Sequence, residues 1–285
     1  RVRFAGIDIP AAGGSALPAL DPLADYLRSA DPEVLPLLDV AREIAGRFGS
    51  TSMALAAPAW ARIGVVEQDA LSAALARLLV RFRSVEPLHV ARVGQAAFDV
   101  AVHRLAGAVS TDYTFRAMAE LYAGCGLPAD TSAREVYLAD SVRWHVDRGA
   151  RVVVAAHNAH VQRVPVSHNG FPSALPMGQH LATALGGDYY AIGFTSVGGE
   201  TADMSLDDTA PFGFTVAPAP LAGPEPGSLE EALAGFGPVF ADLRGAPEGP
   251  VRFRMHGAYQ HVAPRSAFDG VVCVPMSTVA DDIGY

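Results

Sequence analysis

Apolar residues recur at helical spacing through most of the first half of the chain. Asp31-Pro32 reads as an N-cap with a first-turn proline, and Val34, Leu37, Ala41, Ile44 and Phe48 follow on one face before Gly49. Leu71, Leu75, Leu78 and Phe82 repeat the period, Val93, Ala97, Val100 and Arg104 continue it, and Phe115, Met118 and Tyr122 form a further piece ahead of Gly124. Residues 30 to 148 therefore read as about five helices with short breaks. Before them, residues 2 to 9 alternate loosely between apolar and polar and stop at Pro10, which predicts a strand that delivers Asp8 at its carboxyl end.

The texture then changes. Glu135 to Asp147 places Val136, Ala139, Val142 and Val146 on one face and meets Gly149 where a C-cap glycine would stand. Arg151-Val152-Val153-Val154-Ala155-Ala156 follows at once, a β-branched run without alternation that predicts a strand covered on both faces. A helix from Gly178 to Leu185, a break at Gly186-Gly187 and a strand from Tyr189 to Thr195 repeat this αβ order. Proline and glycine punctuate Ser196 to Gly227, so that stretch reads as a long loop or irregular hairpin able to cover a site. Ser228-Leu229-Glu230-Glu231 resembles a capped helix start, and Val251 to Met255 and Phe268 to Val274 read as strands.

Composition narrows the function classes. A chain of 285 residues, half of them hydrophobic, is one large domain or two small ones with ample core. No run of 18 apolar residues occurs, so a spanning helix is unsupported and no membrane partner is expected. The net charge of -9, from 30 acidic against 21 basic residues that are all Arg, argues against a nucleic-acid partner. Cys125 and Cys273 lie too far apart in sequence for a small disulfide framework, so a reducing cytoplasm is the default location. The opening residues lack the apolar core of a signal peptide, and the chain reads as beginning inside a larger sequence.

The sharpest chemical feature is Val152-Val153-Val154-Ala155-Ala156-His157-Asn158-Ala159-His160-Val161. Two imidazoles and an amide directly after a predicted strand sit where ligands gather in open α/β sheets. Histidine serves as base, acid or donor to an oxyanion near neutral pH. On spacing alone, a capping and packing role for the two rings stands beside the catalytic one. A His-x-x-His pair also suits zinc, but no acidic or cysteine ligand lies at a metal-site spacing around it.

This decapeptide resembles the erythromycin esterase family, which includes succinoglycan biosynthesis homologues. Further likenesses run in order: Gly6-Ile7-Asp8 to the family's Gly-Phe-Asp strand end, Arg134 to Asp140 to its Arg-Asp helix, Met177-Gly178-Gln179-His180-Leu181 to its Met-Gly segment, Asp188 to Gly193 to the strand after it, and Phe268-Asp269-Gly270-Val271-Val272 to its last strand. Glu135, Leu138 and Asp140 depart from the family's Asp, Met and Asn in the second of these. The family's opening Gly-Glu-x-x-His-Gly-like motif, with its general base and a neighbouring Glu, has no counterpart ahead of Asp8; His256-Gly257 is superficially similar to it but lies at the other end of the chain.

Pattern and resemblance together imply an α/β fold with a central, largely parallel sheet flanked by helices. Residues 1–285 would form the later portion of one erythromycin-esterase-like domain, with a mostly helical subdomain over 22–130 forming the wall of a cleft. The implied activity is metal-independent hydrolysis of a small-molecule ester or lactone by histidine-activated water, with no cofactor. By resemblance, His157 and His160 are the active-site histidines. Asp8 is a candidate to orient a histidine or to cap a turn, Arg134 to bind a substrate anion or to stay a surface arginine, and Asn158 to fix the turn. An upstream segment of the same gene product is the expected partner. Two rival readings remain: a non-catalytic or incomplete portion acting as a binding module, and a metal or haem-binding protein using His157 and His160.

Overall fold

Leu17–Ala30 (α1), Leu35–Phe48 (α2), Met53–Ala61 (α3), Val65–Ser84 (α4), Glu86–Val93 (α5), Gln95–Tyr122 (α6) and Ala133–Val146 (α7) are the helices that the periodic half builds. The computed structural model describes residues 2–168 and 171–280. Its contacts divide the chain into two units, Arg1–Ser141 with Asp208–Gly213, and Val142–Asp207 with Phe214–Tyr285.

In the first unit the apolar stripes of the helices meet in one core around Leu20, Leu27, Phe48, Trp60, Phe82 and Phe115. Gly94, at φ 85, is the joint between α5 and α6, a left-handed conformation that glycine adopts without a Cβ penalty. The two pieces read from Val93 and from Phe115 belong largely to one long helix, α6. Asp31 does not cap a helix through its side chain. Its carboxylate instead accepts from Arg81 Nε at 2.9 Å and lies 3.4 Å from His89 Nε2. Residues 208–213 join this unit through hydroxyl donors at the start of α3: Thr51 Oγ1 donates to the Pro211 carbonyl at 2.6 Å, and Ser52 Oγ to that of Phe212. The strand predicted over residues 2 to 9 is not formed, and Phe4 is 99% exposed.

The second unit contains Asn158–Val161 (α8), Val166–His168 (β1), Phe171–Ala174 (β2), Met177–Leu185 (α9), Ile192–Leu206 (β3), Phe214–Pro220 (β4), Leu229–Leu233 (α10), Val239–Asp242 (β5), Phe253–Met255 (β6), Ala258–Gln260 (β7), Pro264–Ala267 (α11) and Gly270–Ser277 (β8). Its four-stranded sheet runs β4-β3-β8-β5, with β3 and β8 parallel and the outer pairs antiparallel. The architecture is α/β, built on that parallel pair. Phe253 and Phe268 pack edge to face at 5.2 Å, and both are fully buried.

Two further segments differ from expectation. The Pro- and Gly-rich stretch after Ser196 continues β3 and returns as β4, a regular antiparallel hairpin. Pro218 and Pro220 are tolerated because β4 is an edge strand, where a missing N–H faces no neighbour. Residues 151–156, predicted as a buried strand, form none, and Val153 is 97% exposed. A β-branched run favours extended backbone, but a strand also needs a neighbour to take its N–H and C=O groups, and none pairs with it among the described residues.

Candidate active site

His157 is the N-cap of the short helix α8, in extended backbone, and its ring closes the cap: Nδ1 accepts from the Ala159 N–H at 3.2 Å. An imidazole that accepts through Nδ1 carries its proton on Nε2 when neutral. Burial, reinforced by His256 and His160, pulls the His157 pKa from 6.5 down to about 4. At neutral pH this ring is therefore an uncharged donor with its N–H at the far edge, the form suited to a developing oxyanion. His160 follows one turn later, and its backbone N–H reaches the His157 carbonyl at 2.9 Å.

The turn is clasped to the sheet by Asn158. Its Nδ2 donates to the Phe194 carbonyl at 2.7 Å, and its Oδ1 accepts from the Phe194 N–H at 3.0 Å. A side-chain amide thereby supplies an extra rung on β3, on the edge not used by β8. At its other end the turn lies on α9. A Cβ at Gly178 would stand 2.2 Å from the Val161 carbonyl oxygen, so only glycine admits this approach. Tyr189 Oη donates to the same carbonyl at 2.6 Å. Arg163 pairs with Asp269, whose carboxylate also accepts from the Ala191 N–H at 2.7 Å. The Met-Gly and Phe-Asp segments thus act as the seating of the histidine turn.

Asp8 and Arg134, in the first unit, are joined to each other. The Arg134 Nε donates to Asp8 Oδ1 at 2.8 Å, a second bond links Nη2 to Oδ2, and Oδ1 also accepts from the Ile9 N–H at 2.8 Å. The carboxylate raises the Arg134 pKa further. Both carboxylate oxygens of Asp8 are thereby engaged by the Nε–Nη2 edge of the Arg134 guanidinium.

Sequence reading set His256 aside. The structure stacks its ring on His157, with centroids 4.0 Å apart and planes inclined by 11°. The available signal was a His-Gly pair between two short strand-like segments, the mark of a two-residue hairpin tip, but nothing local says where such a tip points. A cavity of about 430 Å³ opens elsewhere in the second unit, between Arg163, Tyr189, Tyr190 and Arg244, and neither His157 nor His160 lines it. The metal reading finds no support: His157 Nδ1 is engaged by the Ala159 N–H, and no group of three or more ligating side chains assembles among the described residues.

The erythromycin esterase family model matches residues 1–277. The chain is 36% identical over 290 residues to erythromycin esterase type II of Escherichia coli, covering 99% of this chain and 69% of that protein. It is 29% identical to erythromycin esterase type I of Escherichia coli, covering 96% and 68%. Among solved structures it superposes on an erythromycin esterase mutant, EreC, in its open conformation, with TM-score 0.94 and 27% identity, covering all of this chain and 71% of that one. A succinoglycan biosynthesis protein at 17% identity and TM-score 0.69, covering 97% and 65%, shares the fold.

Proposed function

The chain belongs to the erythromycin esterase family, and from that premise we propose that it hydrolyses a small-molecule ester or lactone with a water activated at the His157–His160 turn. The observation that carries this reading is the commitment of His157 Nδ1 to the Ala159 N–H. It leaves Nε2–H as the reactive edge, and His157 then polarises the carbonyl while His160 holds the attacking water. The water oxygen bonds to the carbonyl carbon as the His160 imidazole takes one of its protons, the C=O pair moves onto oxygen against Nε2–H of His157, and collapse breaks the C–O bond, the leaving oxygen taking that proton from His160 and departing as the alcohol. Positioned donors of this type contribute roughly 3 kcal/mol of transition-state stabilisation. The chemistry needs neither metal nor cofactor. Asp8 and Arg134 enter as a paired strut of the first unit, and Asn158 as the clasp that fixes the turn. Two unpaired cysteines, Cys125 exposed and Cys273 buried, support a reducing compartment such as the cytoplasm.

The test is His157→Ala assayed on p-nitrophenyl esters and on macrocyclic lactones. Turnover is expected to fall on the order of 100- to 1,000-fold with the melting temperature nearly unchanged. Unaltered turnover would remove His157 from the active site.

A further inference from the structure

The hairpin that carries His256 is built as a rigid arm with a strained tip. β6 and β7 pair with Met255 opposite Ala258, so His256-Gly257 is a two-residue loop. Such loops favour a positive φ at the first position, where glycine or asparagine is usual. Here the positive φ, 54°, falls on His256, although a glycine stands at the next position. An imidazole at that backbone conformation carries a penalty glycine would not, and strain of this kind persists where the side chain has a task.

The base of the arm is fixed from several sides. Phe253, Arg254 and Met255 are buried, Arg254 at 4% exposure. The Arg254 N–H donates at 3.0 Å to Oε1 of Glu230, itself 0% exposed, and the same oxygen accepts from Thr195 Oγ1 at 2.6 Å. The Arg254 Nη2 donates to the Ala222 carbonyl at 2.8 Å, and its guanidinium lies 5.0 Å from the Tyr259 ring on the returning strand. The Leu229 N–H, at the start of α10, donates to the Arg252 carbonyl at 3.0 Å. The anchored part ends at Met255, and the exposed ring beyond it meets His157 face to face.

We propose that His256 is a positioning residue for His157: the hairpin holds its imidazole flat against one face of His157, fixing that ring's plane and shielding it from water while leaving the Nε2 edge open. Two stacked imidazolium cations repel each other, so the stack is stable only while at least one ring is neutral. The titratable groups that bear on His157 here are His256 and His160. This inference rests on the catalytic reading of His157, but its central measurement does not use turnover.

The experiment compares the full chain with His256→Gly and His256→Phe. Glycine relieves the φ and removes the ring; phenylalanine keeps a flat face without nitrogens. Nitrogen-15 NMR of labelled histidine reads the tautomer and titration midpoint of His157, assigned with His157→Ala. In His256→Gly the midpoint is expected to rise towards that of an exposed histidine, and the melting temperature to hold or rise by roughly 2 °C as the strain is released. On p-nitrophenyl acetate kcat should fall about tenfold with KM within about twofold, and His256→Phe should recover most of kcat. An unchanged His157 midpoint and tautomer in His256→Gly would overturn the proposal, whatever the kinetics. If the midpoint moves but His157→Ala retains full turnover, the ring contact stands and the hydrolytic role of His157 fails.

Discussion

Two buried or half-buried histidines, one in each unit, show how the same ring serves opposite ends. In the helical unit His89 is 1% exposed, and both its nitrogens are engaged: Nδ1 with Tyr26 Oη at 2.9 Å and Nε2 with Asp31 Oδ2 at 3.4 Å. Phe82, Phe98 and Tyr26 surround it. Burial, with Asp31 nearby, pushes the Tyr26 hydroxyl up to about 12, so that phenol stays protonated as a fixed part of the network. In the sheet-bearing unit His157 spends one nitrogen on its own turn and keeps the other edge uncommitted. A closed network converts polarity into cohesion, whereas an open one keeps a donor in reserve for something not yet bound.

That contrast breaks most visibly if the wrong histidine matters for stability. His89→Ala is expected to cost about 3 kcal/mol of folding stability, because it leaves a cavity and strands the Tyr26 hydroxyl. Denaturant titration would read this directly, and a loss comparable to that of a surface substitution would mean the network is not cohesive. Next in size is Gly178→Ala, whose methyl must displace the Val161 carbonyl; a loss of roughly 2 kcal/mol, with turnover falling in parallel, is expected from overpacking under the turn. An unperturbed variant would show that α9 does not seat the histidines.

A third effect sharpens the comparison through pH. The folded-state pKa of His157 lies near 4 and the ordinary value is 6.5, so protons bind the unfolded chain more readily. Its contribution to stability is whole above about 6.5 and is lost as pH falls towards about 4. Turnover, as far as His157 controls it, should stay level down to the lower limit. His157→Ala should flatten the stability profile in that window; an identical slope in parent and variant would show that the ring is not held neutral.

The helices were legible because each carries its period locally, but α6 was read in pieces. It is buried on several sides, so Phe98, Leu105, Thr111 and Phe115 make no single stripe, and Gly107 interrupts the pattern where Tyr137 and Pro10 approach closely. The β3–β4 hairpin hid behind Pro218 and Pro220, which the edge strand β4 tolerates, and behind Gly198 and Gly199, which lie in the inner strand β3 where the chain passes close to Ser277 of β8. The run at Val152 misled in the opposite sense: β-branched residues announce extended backbone but say nothing about whether a neighbour is there to pair with. The His157 turn stood out as a contiguous block. His256, about a hundred residues later, became visible only once the hairpin folded, because a ring contact between distant segments leaves no spacing to read.

The clasp made by Asn158 has a consequence for anyone redesigning this chemistry. Its amide needs a donor on one side and an acceptor on the other, so replacing it by aspartate would set two oxygens against each other at the Phe194 carbonyl. A directed-evolution library can therefore randomise what surrounds the rings, but it should keep this asparagine constant.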